Sequence, residues 1–330
     1  MSDTVTVPEP RLDQPVLADP ATNQLFSLVW QARWRVLIMA PISLLLPFGA
    51  YALDPVGSIL RPAVVSGVFG LMAVAYLVLV PARPDREFLG RSPWREAPAT
   101  VVGATRIELD DPLVPAVRAM SMPSPYRAVV ARTGRIWVTG PDRRGRVAVR
   151  VEGSRVIHPV RPLDRGRSRQ AVHRDQATVT HRTARWMATT PVAMVLAMTG
   201  VYGLFSSITV TRLVSFVFVV GSMTVLWCAM VGHRFAWCRL PRLIRAGEWA
   251  RVDVQVSPWD ARRDLTVDAH GLIRLADGTV RSIRMRAATV DLLATIAETG
   301  VLWVAGEPTP GRTVAVGFPG YPLLASARVS

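Results

Sequence analysis

Lysine is missing. All 39 basic residues of the 330-residue chain are arginine. This rules out a Walker phosphate loop, whose lysine reaches the phosphates, and any enzyme that works through a lysine Schiff base. Cysteine is scarce: Cys228 and Cys238 cannot build a disulfide framework and fit a reducing compartment. G-x-S-x-G, H-E-x-x-H, C-x-x-C and G-x-G-x-x-G are all missing. Cys228, His233 and Cys238 lie five residues apart and would point to different faces of a helix, a poor set for one metal. Asp110 and Asp111 precede a proline turn, where neighbouring carboxylates are solvated and do not form an acid–base pair. His173 and His181 sit among arginines and read as solvated. No cofactor or metal site is read, and the expected class is non-enzymatic.

What is present is apolar sequence in blocks. Half the residues are hydrophobic, yet the net charge is +15. Such a chain segregates its two kinds of residue, as membrane proteins do. Residues 36–53 and 63–80 are 18-residue apolar segments, about 27 Å each as helix, close to the roughly 30 Å hydrocarbon core. Two more follow at about 189–205 and 213–231. Arginines follow the second and fourth segments, and the short loops on the other side are poor in them. The arginine excess puts both chain ends on the cytoplasmic side.

The chain also repeats itself. ARTGRIWVTG at 131–140 recurs as AETGVLWVAG at 297–306. Without a gap, Ala128, Thr133, Gly134, Trp137, Gly140, Gly145 and Arg146 fall on Ala294, Thr299, Gly300, Trp303, Gly306, Gly311 and Arg312. Val80, Arg83, Leu89, Arg91, Ala99 and Val101 fall on Val231, Arg234, Leu240, Arg242, Ala250 and Val252. Gly134 and Gly300 are expected to end a helix in the left-handed conformation. Trp137 and Trp303 are expected as core or neck anchors. Ser124 and Asp291 are read as the caps of the two helices, and Asp277-Gly278 as a type I′ hairpin turn.

The expected architecture is therefore a membrane α-helical protein: four transmembrane helices in two hairpins, plus two duplicated small α+β, mainly antiparallel β, cytosolic domains. Residues 1–21 form a disordered cytosolic tail and 22–35 an interfacial helix. Hairpin 1 spans 36–81, domain 1 spans 97–164, an arginine-rich linker spans 165–186, hairpin 2 spans 187–232 and domain 2 spans 247–330. Residues 97–165 carry 12 arginines and 6 acids, whereas 247–330 carry 9 of each. Arg165, Arg167, Arg169, Arg174, Arg182 and Arg185 in the linker are the expected binding residues, each worth about 1 kcal/mol toward anionic lipid.

On this reading the protein is a multi-pass scaffold or regulatory docking protein of the cell membrane, with both termini cytoplasmic. Its expected partners are anionic headgroups of the lipid bilayer, with a protein partner or a second copy. The alternative is a small transporter or channel gated by the cytosolic modules. Aromatic residues do not interleave with the arginines, which argues against nucleic acid.

Overall fold

The computed structural model describes residues 5–31, 84–164, 171–204, 221–222, 224–262 and 264–330, with side chains of α2 to residue 200. The first half contains β1 (Arg95–Val101), β2 (Arg106–Leu109), β3 (Ala116–Arg118), α1 (Ser124–Thr133), β4 (Arg135–Thr139), β5 (Val147–Arg150) and β6 (His158–Leu163). A long helix, α2 (Gln176–Leu204), follows. The second half contains β7 (Trp249–Val256), β8 (Thr266–Arg274), β9 (Val280–Thr289), α3 (Val290–Thr299), β10 (Val301–Ala305), β11 (Thr313–Phe318) and β12 (Leu323–Val329).

Each half closes into an antiparallel barrel of six strands. The first runs β1-β2-β3-β6-β5-β4 and the second β7-β8-β9-β12-β11-β10, the same cyclic order. Closure comes from β1 and β7, which pair on both sides. Alternate residues of β1 point inward: Ala97, Ala99 and Val101 are buried and Glu96 and Thr100 are exposed. A barrel this narrow is filled by its own side chains. Closure also leaves neither sheet with a free edge.

These barrels correct the expected class. Two strands of the first domain, β2 and β3, are only four and three residues long and carry too little alternation to be read. Their counterparts β8 and β9 are nine and ten residues long. The hairpin around Asp277-Gly278 is therefore a standard part of both halves, shortened in the first.

The membrane class is corrected as well. Among the described residues, no helix is long and apolar enough to cross a membrane. The first part of α2 is polar and packed on the barrels, with Val179, Thr183, Ala184 and Met187 buried. Hairpin 1 at 36–81 and the first part of the expected fourth span, residues 213–220, lie outside the described residues. The multi-pass scaffold, the gated channel and the cell-membrane localisation all rested on spans and fall with them.

The repeat is real in topology but shifted in register. Glu96 pairs with Trp137 and Arg251 with Trp303, so β1 and β7 match at Arg95 with Ala250 and at Ala99 with Val254. The sequence alignment, which placed Ala99 on Ala250, is four residues out. Trp94 and Trp249 then become equivalent. The β4–β5 loop is one residue longer in the second copy, because Thr139 pairs with Ala148 and Ala305 with Ala315.

The N-terminal stretch is ordered from residue 5 to 31. Val16 N–H donates to Ser92 C=O at 2.9 Å, and Pro15 bridges Pro93. The helix over 20–31 is capped by Asp19, whose carboxylate accepts from Ala21 N–H and Thr22 Oγ1. Thr22 is the donor and not the cap. Leu25 and Phe26 are buried against the first barrel, so this helix turns its apolar face to protein.

Candidate functional site

Two of the predicted linker arginines converge on the first barrel. Val172 N–H donates to Val101 C=O at 3.0 Å and pins the linker to the end of β1. That contact brings Arg174 and, nearly two turns into α2, Arg182 beside Arg127 of α1. The three guanidinium groups line a groove of about 290 Å³ whose other walls include Ser124, Ala128 and Val172. No carboxylate lines it. Asp175, the linker's one acid, is used at the start of α2, where its carboxylate accepts from Thr178 N–H at 3.0 Å.

Arg127 makes its hydrogen bonds to backbone carbonyls. Its Nη1 donates to Ala119 C=O at 3.3 Å and to Met122 C=O. Burial, and next the nearby Arg182 charge, hold its pKa below the ordinary arginine value. A cation that is half withdrawn from water and faces another cation is stabilised by any anion that settles between them. Arg127 was not singled out by sequence. It lies a full domain away from the linker, and only the barrel brings them together. Of the remaining predicted residues, Arg165, Arg167 and Arg169 lie outside the described residues, and Arg185 is exposed on α2.

The repeat glycines and tryptophans are structural. Gly134 and Gly300 end α1 and α3 with φ of 68° and 65°, as expected. Gly140 (φ 107°) and Gly306 (φ 79°) turn the chain out of β4 and β10. Trp137 is 1% exposed and covered by Phe26, Trp94 and Ile157. Trp303 lies in the main core. Neither ring is open to stack on a ligand. Two turn expectations change. The α1 helix already includes Ser124, with no side-chain cap. In the β8–β9 hairpin, Gly278 alone has positive φ and its N–H bonds Leu275 C=O, a type I turn followed by a left-handed glycine.

The residues that sequence missed are at the seam between the barrels. Asp291 does not cap α3; Thr289 does, accepting from Leu292 N–H at 3.3 Å. Asp291 reaches instead into the first barrel's β5–β6 turn. It accepts from Ser154 Oγ at 2.7 Å and from Arg155 N–H at 2.8 Å. Arg155 donates to Thr295 Oγ1 at 2.7 Å and to Glu298. Burial pushes the Asp291 carboxyl up from its ordinary value, and Arg155, the Ser154 hydroxyl and the Arg155 amide oppose that.

The contact is reciprocal. Tyr321, in the β11–β12 turn, donates its hydroxyl to Glu152 at 2.7 Å, and Arg132 of α1 lies 4.6 Å from its ring centroid. Burial and the Glu152 bond push the Tyr321 phenol up to about 12. Register equates Ser154 with Tyr321, and the helix repeat equates Arg132 with Glu298. Each barrel's turn is thus held by the other barrel's helix, as in an isologous dimer.

His233 is likewise engaged, its Nε2 2.7 Å from Asp264, while Cys238 Sγ donates to Ala188 C=O at 3.4 Å. Among the described residues no group of three or more His, Cys, Asp or Glu could hold a metal ion. Comparison of the chain with protein-family models, with curated proteins and with solved structures gives no match.

Proposed function

We propose that the chain is a non-enzymatic binding protein whose groove at Arg127, Arg174 and Arg182 takes a phosphate-bearing anion. The observation that carries this is three arginines around one groove with no acid among the described residues that line it. Guanidinium forks match phosphate oxygens and give charge-assisted hydrogen bonds about twice as strong as neutral ones. The lining offers cations, methyl groups and one hydroxyl, Ser124, which favours holding an anion over transforming it.

The test is calorimetric titration of the full chain with inorganic pyrophosphate at low and high salt. Binding should weaken with salt, and Arg127→Gln with Arg182→Gln should weaken it at least tenfold. Unchanged affinity in that variant would overturn the assignment. A lipid headgroup presents the same group. Phosphatidylglycerol vesicles that compete with pyrophosphate point to that source, and vesicles that leave it bound point to a soluble phosphate.

A further inference from the structure

The second domain balances its charges in sequence and separates them in space. Residues 247–330 carry 9 arginines and 9 acids. Asp291 and Glu298 are engaged at the seam, and Asp264 with His233 and Arg234. Asp268 accepts from Arg262 at 2.8 Å and from Ala287 N–H at 3.1 Å. Arginines remain on the outer face of β8, β9 and β12. Arg284 of β9 stands directly opposite Arg328 on β12 and opposite His270 on β8, and Arg286 follows two residues along β9. All four side chains are exposed. Among the described residues none of the four has a hydrogen-bonded or ion-paired side-chain partner. The other acids bordering the face are Asp253, opposite Arg274, and Asp277 in the hairpin turn, where it accepts from Thr279 N–H at 2.8 Å.

Like charges directly opposite each other across a sheet are destabilising. The first barrel has the same placement. Register equates Arg118 with Arg284 and Arg161 with Arg328, and Arg118 stands opposite Arg161 on β3 and β6. Both barrels thus carry an outward arginine pair at one cross-strand site, where the core has no need of it. On the second barrel the arginines adjoin exposed apolar residues. Leu272, next after His270 on the outer face of β8, is 49% exposed, and Val280 at the start of β9 is 51% exposed. The face therefore has an apolar end near the hairpin turn and a cationic end, about 20 Å apart from Val280 to Arg286.

We propose that this face docks an acidic segment of a protein partner, its carboxylates on Arg284, Arg286 and Arg328 and its apolar side chains on Leu272 and Val280. Guanidinium forks take carboxylates with charge-assisted hydrogen bonds, and arginine is enriched at protein interfaces. The apolar end separates this partner from a nucleic acid. Phosphates gain nothing from Leu272 and Val280, and β8, β9 and β12 carry no Phe, Tyr or Trp on which a base would stack. The face is on the barrel that does not hold the phosphate groove, and the inference stands without that groove.

The probe is a fluorescent peptide of about seven residues, two leucines followed by glutamates, long enough to span the face. Its anisotropy is followed on titration with the full chain. Binding should weaken with salt, and Arg284→Gln with Arg328→Gln should weaken it about tenfold. Both positions are exposed and the change removes a like-charge contact, so urea unfolding should find that variant at least as stable as the wild type. Leu272→Ser with Val280→Ser should weaken binding several-fold, and a peptide with glutamine for glutamate should not bind. Arg127→Gln with Arg182→Gln should leave peptide binding as it is. The proposal is overturned by any of four results: no binding by the wild type, unchanged binding in either variant of the face, loss of binding in the groove variant, or a DNA duplex that takes the face in preference to the peptide.

Discussion

Asp291 is where the two barrels are most tightly joined, and truncating it measures what holds them. Its carboxylate accepts from the Ser154 hydroxyl and the Arg155 amide, and its residue is 3% exposed. Asp291→Ala leaves both donors buried and unpaired, at about 1–3 kcal/mol each. It also removes one of the acids around the Arg155 guanidinium, which is 4% exposed. Breaking a buried pair costs about 3–5 kcal/mol, and we expect a loss in that range. Asp291→Asn keeps one acceptor oxygen, for the Arg155 N–H, and turns its amide NH2 toward the Ser154 hydroxyl, which can accept instead of donating. The Asp291 charge is already penalised by burial, and the guanidinium Nη1 stands 4.0 Å off. We therefore expect Asn to cost about 1 kcal/mol. Urea unfolding followed by far-ultraviolet circular dichroism gives both values. If Asn costs as much as Ala, the charge and not the hydrogen-bond geometry secures the seam. That result would refute the reasoning. A second transition in the Ala variant would show the barrels melting apart.

Two further outcomes follow from the second barrel. Asp264 accepts from Thr266 and faces His233 and Arg234; burial acts against its charge, but these partners prevail and its pKa lies well below the ordinary 3.8. Its contribution is present above the unfolded-state value and is lost as pH falls through the folded one, so Asp264→Asn should flatten the acid limb of a stability-against-pH curve. An acid limb identical to the wild type would count against that. Gly317 has φ of 144°, and a Cβ there would run into the backbone of Leu323 and Leu324 on β12. Gly317→Ala should cost about 3 kcal/mol or more by strain and overpacking, and thermal unfolding within a degree or two of the wild type would contradict the register of β11.

Much of the two repeated domains was legible, and the errors have particular causes. The repeated helix–turn–strand unit was read correctly because Gly134 and Gly300 need no neighbour to favour a left-handed helix end. The strands β4, β5, β10 and β11 are legible in the sequence because β-branched runs such as RIWVT and VLWVA carry their own signature. RIEL of β2 reads only as a continuation of β1, and AVR of β3 is too short for a period to show. The shift of four residues in the neck arose because arginine-rich segments align almost anywhere, whereas the hydrogen-bonded partners of Trp137 and Trp303 admit one register.

The sites divide in the same way. Arg174 and Arg182 stood out as members of a charge run, and the groove they line was out of reach because Arg127 looked like an ordinary helix residue. Asp291 looked like a cap because a carboxylate near a helix start has that default role. Its true partners, Ser154 and Arg155, are some 136 positions away.

By itself the sequence determined that the chain is a duplication, where its glycine turns fall, and that its charge is concentrated in arginine. Those are local or compositional properties, decided by one residue's backbone freedom or by counting. Only the tertiary structure decided that each half closes into a barrel, that the N-terminal helix and the first part of α2 pack on the barrels, and that arginines from separate segments meet around one groove. Closure and burial depend on hydrogen bonds and contacts between residues far apart in the chain, and a linear reading carries no term for them.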